Sequence, residues 1–217
     1  MIDIVRHIEA VTREVGEGRI PAGTGHRIRL QRDYDAPIED VWDALTSPER
    51  ISRWFLPISG DYRLGGRYQF EGNAGGEIVA CERPHRLKVT WVYGEEAAPT
   101  DVSAVELRMS AIDSETTRFE LEHTAVVPVE KWAEYGPGAV GVGWDGGLLG
   151  LGLHLASGVG VDDPVAWQMS AEGREFFTRC SEAWGLANRA AGADPEDAAR
   201  AVANTTAFYA PEPDATP

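Results

Sequence analysis

The sequence predicts an α+β fold, an antiparallel sheet joined to a long helix, and three observations carry that prediction. Ile28, Leu30 and Tyr34 alternate with Arg29, Gln31 and Asp33, the period-two signature of a half-buried strand. Directly after it, Ile38, Val41, Trp42 and Leu45 recur at the i, i+3, i+4, i+7 spacing of one apolar helix face. Further along, two more alternating runs lie between Val105 and His123 and form an antiparallel meander with one wet face, ahead of a long, apolar, glycine-rich segment.

In chain order, Ile4, Ile8, Val11 and Val15 share one face of an amino-terminal helix over residues 2–15. The stretch Glu17–Gly25, rich in glycine and broken by Pro21, reads as a linker, so residues 1–25 form a helix and linker ahead of the main domain. After the first strand, Asp35 suits a helix N-cap. Pro37 fits the first turn, and Glu39 and Asp40 place negative charge near the helix amino end. Thr46-Ser47-Pro48 ends that helix and starts a shorter one from Glu49 to Phe55, bearing Ile51, Trp54 and Phe55. Leu64-Gly65-Gly66 then reverses the chain into a strand carrying Tyr68 and Phe70.

Gly72–Gly76 reads as a hairpin turn and Glu77–Glu82 as the next strand, closed by Arg83-Pro84-His85. Leu87, Val89, Trp91 and Tyr93 alternate with Lys88 and Thr90 in one further strand, and Gly94–Thr100 is a loop. Val105, Leu107, Met109 and Ala111 define another strand, and Asp113–Thr116 a turn. Phe119, Leu121 and His123 then share the inward parity of the last strand. The long helix is predicted over Gly143–Ala156, with Trp144, Leu148, Leu151 and Leu155 on one face. Its Gly146, Gly147, Gly150 and Gly152 each cost about 1 kcal/mol relative to Ala, so the helix needs close approach to a neighbour or space left for a ligand.

Beyond it, Asp163-Pro164 opens a short helix through Trp167 and Met169. Ser170 caps another bearing Phe176, Phe177, Cys180, Trp184 and Ala187, and Asp194-Pro195 opens a last one bearing Ala198, Val202, Thr205 and Phe208. Residues 158–210 thus form a helical appendage docked on the domain or on a second subunit, and residues 211–217 a disordered tail.

The run from Ala36 to Trp54 reads A-P-x-x-x-V-W-x-A-L-T-x-P-E-x-I-x-x-W, and Gly65 to Phe70 reads G-G-x-Y-x-F. This pattern resembles the SRPBCC or START-like superfamily, the birch-pollen-allergen-like helix-grip proteins. Within it, the best match is the branch named for the activator of the heat-shock chaperone ATPase. The resemblance implies strand, two helices, five or six strands and a long helix over residues 26–157, with a curved antiparallel sheet gripping the helix.

Composition bounds the function. The 217 residues are 43% hydrophobic and 25% charged, ordinary for a globular chain able to bury a full core. A net charge of -15, with no basic stripe, repels phosphate backbones and anionic lipid and excludes nucleic acid as a partner. Residues 138–161 are long enough to span a bilayer, but Asp145 and His154 interrupt them, the glycine content is high and no basic cluster flanks them, so no membrane span is expected. Cys81 and Cys180 lack metal-ligand spacing, which with the absence of a signal peptide fits a reduced, cytoplasmic protein.

Gly141–Gly146 matches G-x-G-x-x-G by letter, but no strand precedes it inside a strand–helix–strand unit, so it is not a dinucleotide site. The five histidines are scattered and no G-x-S-x-G occurs, so neither a metal, a cofactor nor a serine nucleophile is expected.

The aromatic residues are the strongest material. A sheet curled around a glycine-rich helix, with no second sheet to fill it, leaves an apolar cavity. Resemblance and strand parity together assign its lining to Trp54, Tyr68, Phe70, Trp91 and Phe119, and to Leu121, His123, Trp144, Leu148 and Leu151. The expected function is binding of a small hydrophobic or amphipathic molecule. Two alternatives remain: a cofactor-independent cyclase, aromatase or hydrolase with His123 or His154 as acid/base, and a chaperone-activator-like interaction domain. The terminal helices also fit a homodimer.

Overall fold

The computed structural model describes residues 2–93 and 103–212, and a single nine-stranded antiparallel sheet organises them. The first element is a short helix, Ile4–Glu9 (α1), capped by the Asp3 carboxylate, which accepts from the Arg6 N–H. The chain then enters a strand at Thr12–Ile20 (β1), which corrects both the expected helix over residues 2–15 and the expected linker over 17–25. It turns at Pro21-Ala22 into Gly23–Tyr34 (β2), and the two pair without a break from Thr12 opposite Gln31 to Ile20 opposite Gly23. The physical reason lies in the partner strands. A Cβ on Gly18 would lie 2.5 Å from Thr124 Oγ1, and one on Gly25 would lie 2.3 Å from the Ala125 carbonyl oxygen. These glycines therefore mark close approach of neighbours inside a sheet rather than breaks in the chain.

The next helix spans Ile38–Thr46 (α2) with Pro37 at its N-cap; Asp35 makes no capping hydrogen bond, contrary to expectation. Backbone turning occurs earlier, through the Ala36 N–H donating to the Tyr34 carbonyl. Pro48–Ile51 (α3) restarts the helix after Ser47. Strands Ile58–Gly60 (β3) and Arg67–Phe70 (β4) flank a turn in which Gly65 has φ 76°. Ala74–Glu82 (β5) starts inside the expected Gly72–Gly76 turn, because Gly76 lies against Thr90, where a Cβ would stand 2.0 Å from its carbonyl oxygen. The single strand expected from Leu87 to Tyr93 is two, Arg86–Thr90 (β6) and Val92–Tyr93 (β7), interrupted at Trp91; the β5–β6 register shifts between Ile78 and Ala80. Ser103–Ala111 (β8) and Thr117–Ala125 (β9) complete the sheet. The expected loop Gly94–Thr100 and the end of the expected tail, from residue 213, lie outside the described residues.

Besides α1, and α3, which ends at Ile51 rather than Phe55, two later helices differ from expectation. Val129–Tyr135 (α4) has no buried residue and hence no apolar periodicity to reveal it. The long helix spans Gly138–Ser157 (α5), starting five residues before the expected Gly143, and packing rather than propensity explains the difference. A Cβ on Gly141 would fall 2.3 Å from the Trp184 ring, and one on Gly138 would fall 2.8 Å from Thr205 Oγ1. Gly138 and Gly141 are compensated by this close approach of neighbouring side chains. Pro164–Met169 (α6), Ala171–Ala190 (α7) and Pro195–Tyr209 (α8) follow, with Asp163, Ser170 and Asp194 accepting the N-cap hydrogen bonds their sequence predicts.

The sheet order is β1-β2-β9-β8-β6-β5-β4-β3, with β7 beside β5. Helix α5 packs against β2 and α2 as well as against α7 and α8. It is therefore apolar all round, as a helix buried on several sides must be. Phe176, Phe177, Cys180 and Trp184 of α7 join the same core as Ile4, Trp42 and Leu149, so the apolar face of α7 is covered within the chain, whereas Phe208 of α8 stays exposed.

A buried polar hub ties these parts together. Asp145 on α5 accepts from Arg13 Nε at 3.2 Å, from a terminal Arg13 nitrogen at 2.8 Å and from Trp184 Nε1 at 2.9 Å. On the wet face of the sheet, Glu106 meets Arg86, Lys88 and Arg108 at 2.7, 3.2 and 2.6 Å. Among the described residues no helix is long and apolar enough to cross a membrane.

Candidate functional site

Between the sheet, the α2–α3 segment and α5 lies a cavity of about 350 Å³. Nine of the ten residues expected to line it do so. Trp54 comes from the segment after α3, and Tyr68 and Phe70 come from β4. Trp91 stands between β6 and β7, Phe119 and Leu121 are on β9, and Trp144, Leu148 and Leu151 project from one stripe of α5. Gly147, on the same stripe, supplies no side chain and leaves the space open.

The aromatic rings form a continuous wall. Trp91 and Trp144 have centroids 4.9 Å apart, Phe70 stands 5.7 Å from Trp91 and 5.6 Å from Tyr68, and Phe55 meets Phe70 edge-on at 5.0 Å. Most of the wall's polar atoms are engaged within the protein. Trp54 Nε1 donates to the Ala44 carbonyl at 2.9 Å, and the Tyr68 hydroxyl to the Thr90 carbonyl at 2.7 Å; burial pushes the Tyr68 phenol's pKa well up. Trp91 Nε1 is fully enclosed and has no hydrogen-bond partner among the described residues.

His123 corrects the expected lining. Strand parity turns it inward, but it does not reach the cavity surface; Trp144 forms the wall there and donates from Nε1 to His123 Nδ1 at 3.0 Å. The other ring nitrogen, Nε2, is 2.7 Å from Ser103 Oγ. Burial lowers the His123 pKa to about 4, so the ring is neutral at physiological pH. His154 lies nearer the carboxy end of α5, past the cavity, where Arg50 Nε donates to its Nε2 at 3.2 Å; burial, then the Arg50 charge, lowers its pKa. Neither imidazole borders the cavity, so neither is placed to act as acid or base on a molecule inside it.

Sequence reasoning missed part of the lining. Trp42, Leu45, Val105 and Leu107 border the cavity, and all four lie on faces whose periodicity marked them as inward. Tyr62, Arg63, Cys81 and Arg83 also border it and are exposed, which brings the cavity to the surface. Tyr62, Arg63 and Arg83 sit in or beside turns, where no periodicity identifies them, and Cys81 lies near the end of β5.

An open antiparallel sheet with a long helix laid across it and an apolar cavity between the two defines a helix-grip protein. The chain belongs to the family described as activator of Hsp90 ATPase homolog 1-like protein, whose model matches residues 35–151. That segment ends within α5 and leaves out α1, β1, β2 and α6–α8.

The crystal structure of CalU16 from Micromonospora echinospora is 38% identical, with a TM-score of 0.67 over 82% of this chain and 98% of that one. Its solution NMR structure gives 35% identity and a TM-score of 0.69 over 84% and 97%. The similarity to CalU16 thus reaches well beyond the family segment. An HSP90 activator from Plasmodium falciparum shares the fold at 20% identity, with a TM-score of 0.51 over 61% of this chain and 96% of that one. No functionally curated protein matches the chain significantly.

Proposed function

We propose that the protein binds a small hydrophobic or amphipathic molecule in the cavity between the sheet and α5. One observation carries the reading: a cavity of about 350 Å³, walled by aromatic and aliphatic side chains, opens at a rim of exposed polar residues. Its size falls at the lower end of ligand sites, and burying an apolar ligand there releases water from both surfaces. Among the described residues no carboxylate and no imidazole stands in the lining, which favours binding over acid–base turnover and leaves the His123 and His154 enzyme reading without support.

The test is a panel of apolar and amphipathic compounds scored by thermal shift and native mass spectrometry. A ligand held at a hundred times its Kd stabilises the fold by about 2.7 kcal/mol, a shift of several degrees. A panel in which no compound raises Tm and none is retained would overturn the reading.

A second reading, docking on a chaperone, is supported by the family description and by the name of the Plasmodium falciparum protein. It predicts that the purified chain stimulates a chaperone ATPase; unchanged hydrolysis removes it.

A further inference from the structure

We infer that the ligand is an amphipathic anion, an apolar body ending in a carboxylate, whose acid group sits at the cavity mouth against Arg63 and Arg83. The inference rests on reading the cavity as a ligand site and names the class of molecule it selects. Among the described residues of the lining, Arg63 and Arg83 are the charged ones, both are cations, and both are at the exposed rim.

Each arginine is held from outside the lining by one carboxylate. Arg63 Nε donates to Asp61 Oδ2 at 2.7 Å, and Arg83 donates through Nε and a terminal nitrogen to one oxygen of Glu39, at 3.4 and 3.2 Å. The remaining N–H groups of both guanidiniums make no hydrogen bond among the described residues. A guanidinium so anchored has already lost part of its rotamer freedom and still presents donors suited to a carboxylate.

The backbone beneath the rim is also fixed. The turn carrying Arg63 is tied to β5 by Gly65 N–H donating to the Ile78 carbonyl at 2.8 Å and Ile78 N–H donating to the Gly66 carbonyl at 2.9 Å. The turn after Arg83 is closed by His85 N–H donating to the Glu82 carbonyl at 2.7 Å.

The interior offers a carboxylate few donors. The Trp54, Tyr68 and Trp144 donors are taken by protein acceptors and Trp91 Nε1 is enclosed, which leaves the single indole N–H of Trp42 as the other tryptophan donor on the lining, too little to replace a carboxylate's hydration. A carboxylate drawn inside would lose its hydration without gaining enough partners. It therefore stays at the rim while the apolar body fills the space behind. The chain's charge of -15 opposes an anion at long range, but salt screens that field beyond about 8 Å under physiological conditions; at the rim Asp61 and Glu39 offset the charge of the arginines, so the unpaired guanidinium N–H donors decide.

The experiment titrates the whole chain with dodecanoate, dodecanol and dodecylammonium, each below its micelle-forming concentration. Quenching of the tryptophans is the readout, since Trp42, Trp54, Trp91 and Trp144 border the cavity. Dodecanoate is expected to bind about tenfold more tightly than dodecanol. The double variant Arg63→Gln/Arg83→Gln, both exposed positions, should bring dodecanoate down to the affinity of dodecanol, with folding checked by circular dichroism. Equal binding of acid and alcohol, tighter binding of the ammonium, or a double variant that keeps its acid preference overturns the inference and leaves the cavity reading standing. Binding by none of the three overturns both.

Discussion

Trp144 and His123 hold each other through one hydrogen bond: the indole Nε1 donates to His123 Nδ1 over 3.0 Å. That bond requires an unprotonated Nδ1, so His123 is the neutral tautomer carrying its proton on Nε2, which donates to Ser103 Oγ at 2.7 Å. A wall of the cavity is thus positioned by an imidazole that must stay uncharged.

Stability should therefore depend on pH in a defined direction. The folded pKa of His123 is about 4 against an ordinary 6.5, so between those values the unfolded chain holds the proton and the folded chain does not. Stability is complete above 6.5 and declines as pH falls toward 4. His7, also lowered to about 4 by burial and then by Arg32, acts in the same sense. Tm should fall as the solution is taken from about pH 7 to about pH 5, with a shallower slope in His123→Gln. A ring-proton NMR titration placing the His123 pKa near its ordinary value would refute the assignment.

Two glycines of α5 should respond in opposite directions to alanine. At Gly141 the new Cβ would meet the Trp184 ring at 2.3 Å; that ring is 1% exposed and bonded to Asp145, so it has nowhere to move. Gly141→Ala should cost about 1–3 kcal/mol. At Gly146 the nearest atom is Phe177 Cε1 at 3.5 Å, an ordinary contact, and Gly146→Ala should stabilise by about 0.5–1 kcal/mol. Urea denaturation of both variants checks the pair; shifts of the same sign count against the packing argument.

Gly147 tests the cavity itself. A side chain there starts 3.8 Å from Phe55 and 4.0 Å from Trp144, so Gly147→Leu should extend into the open space. Ligand affinity should fall at least about tenfold while Tm holds or rises, because apolar surface is added where there is room for it. Undiminished binding would show that ligands go elsewhere.

The Asp145 hub should behave as a buried ion pair. Asp145→Ala leaves the Arg13 guanidinium, whose side chain is only 7% exposed, without its carboxylate, at a cost of about 3–5 kcal/mol. Adding Arg13→Met removes the stranded charge and should recover much of that loss. Chemical denaturation of the single and double variants gives the coupling; additive losses would mean that the two residues act independently.

Much of this was legible in the residues. The helix-grip motif from Ala36 to Phe70, the caps at Asp163, Ser170 and Asp194, and the inward parity of Phe119 and Leu121 all follow from local chemistry. The strand β1 was not legible. Ile4, Ile8, Val11 and Val15 happen to fit a helical spacing, and only the ladder to β2 overrules it. Nor was the position of His123, because parity says which side of a sheet a residue faces and not how far along that side a cavity extends. Arg63 and Arg83 escaped for a third reason: turns carry no period, so their meeting at one rim is invisible before the sheet is assembled.

By itself, the amino-acid order determined the α+β class, the position of the long helix and most of the aromatic set, since periodicity, capping and β-branching act over a few neighbouring residues. Only the tertiary structure decided that the glycines of α5 serve close packing at Gly141 and open space at Gly147, and that His123 supports a wall instead of forming one. Those outcomes depend on contacts between residues far apart in the chain, such as Trp184 with Gly141 and Trp144 with His123, and no local pattern encodes them.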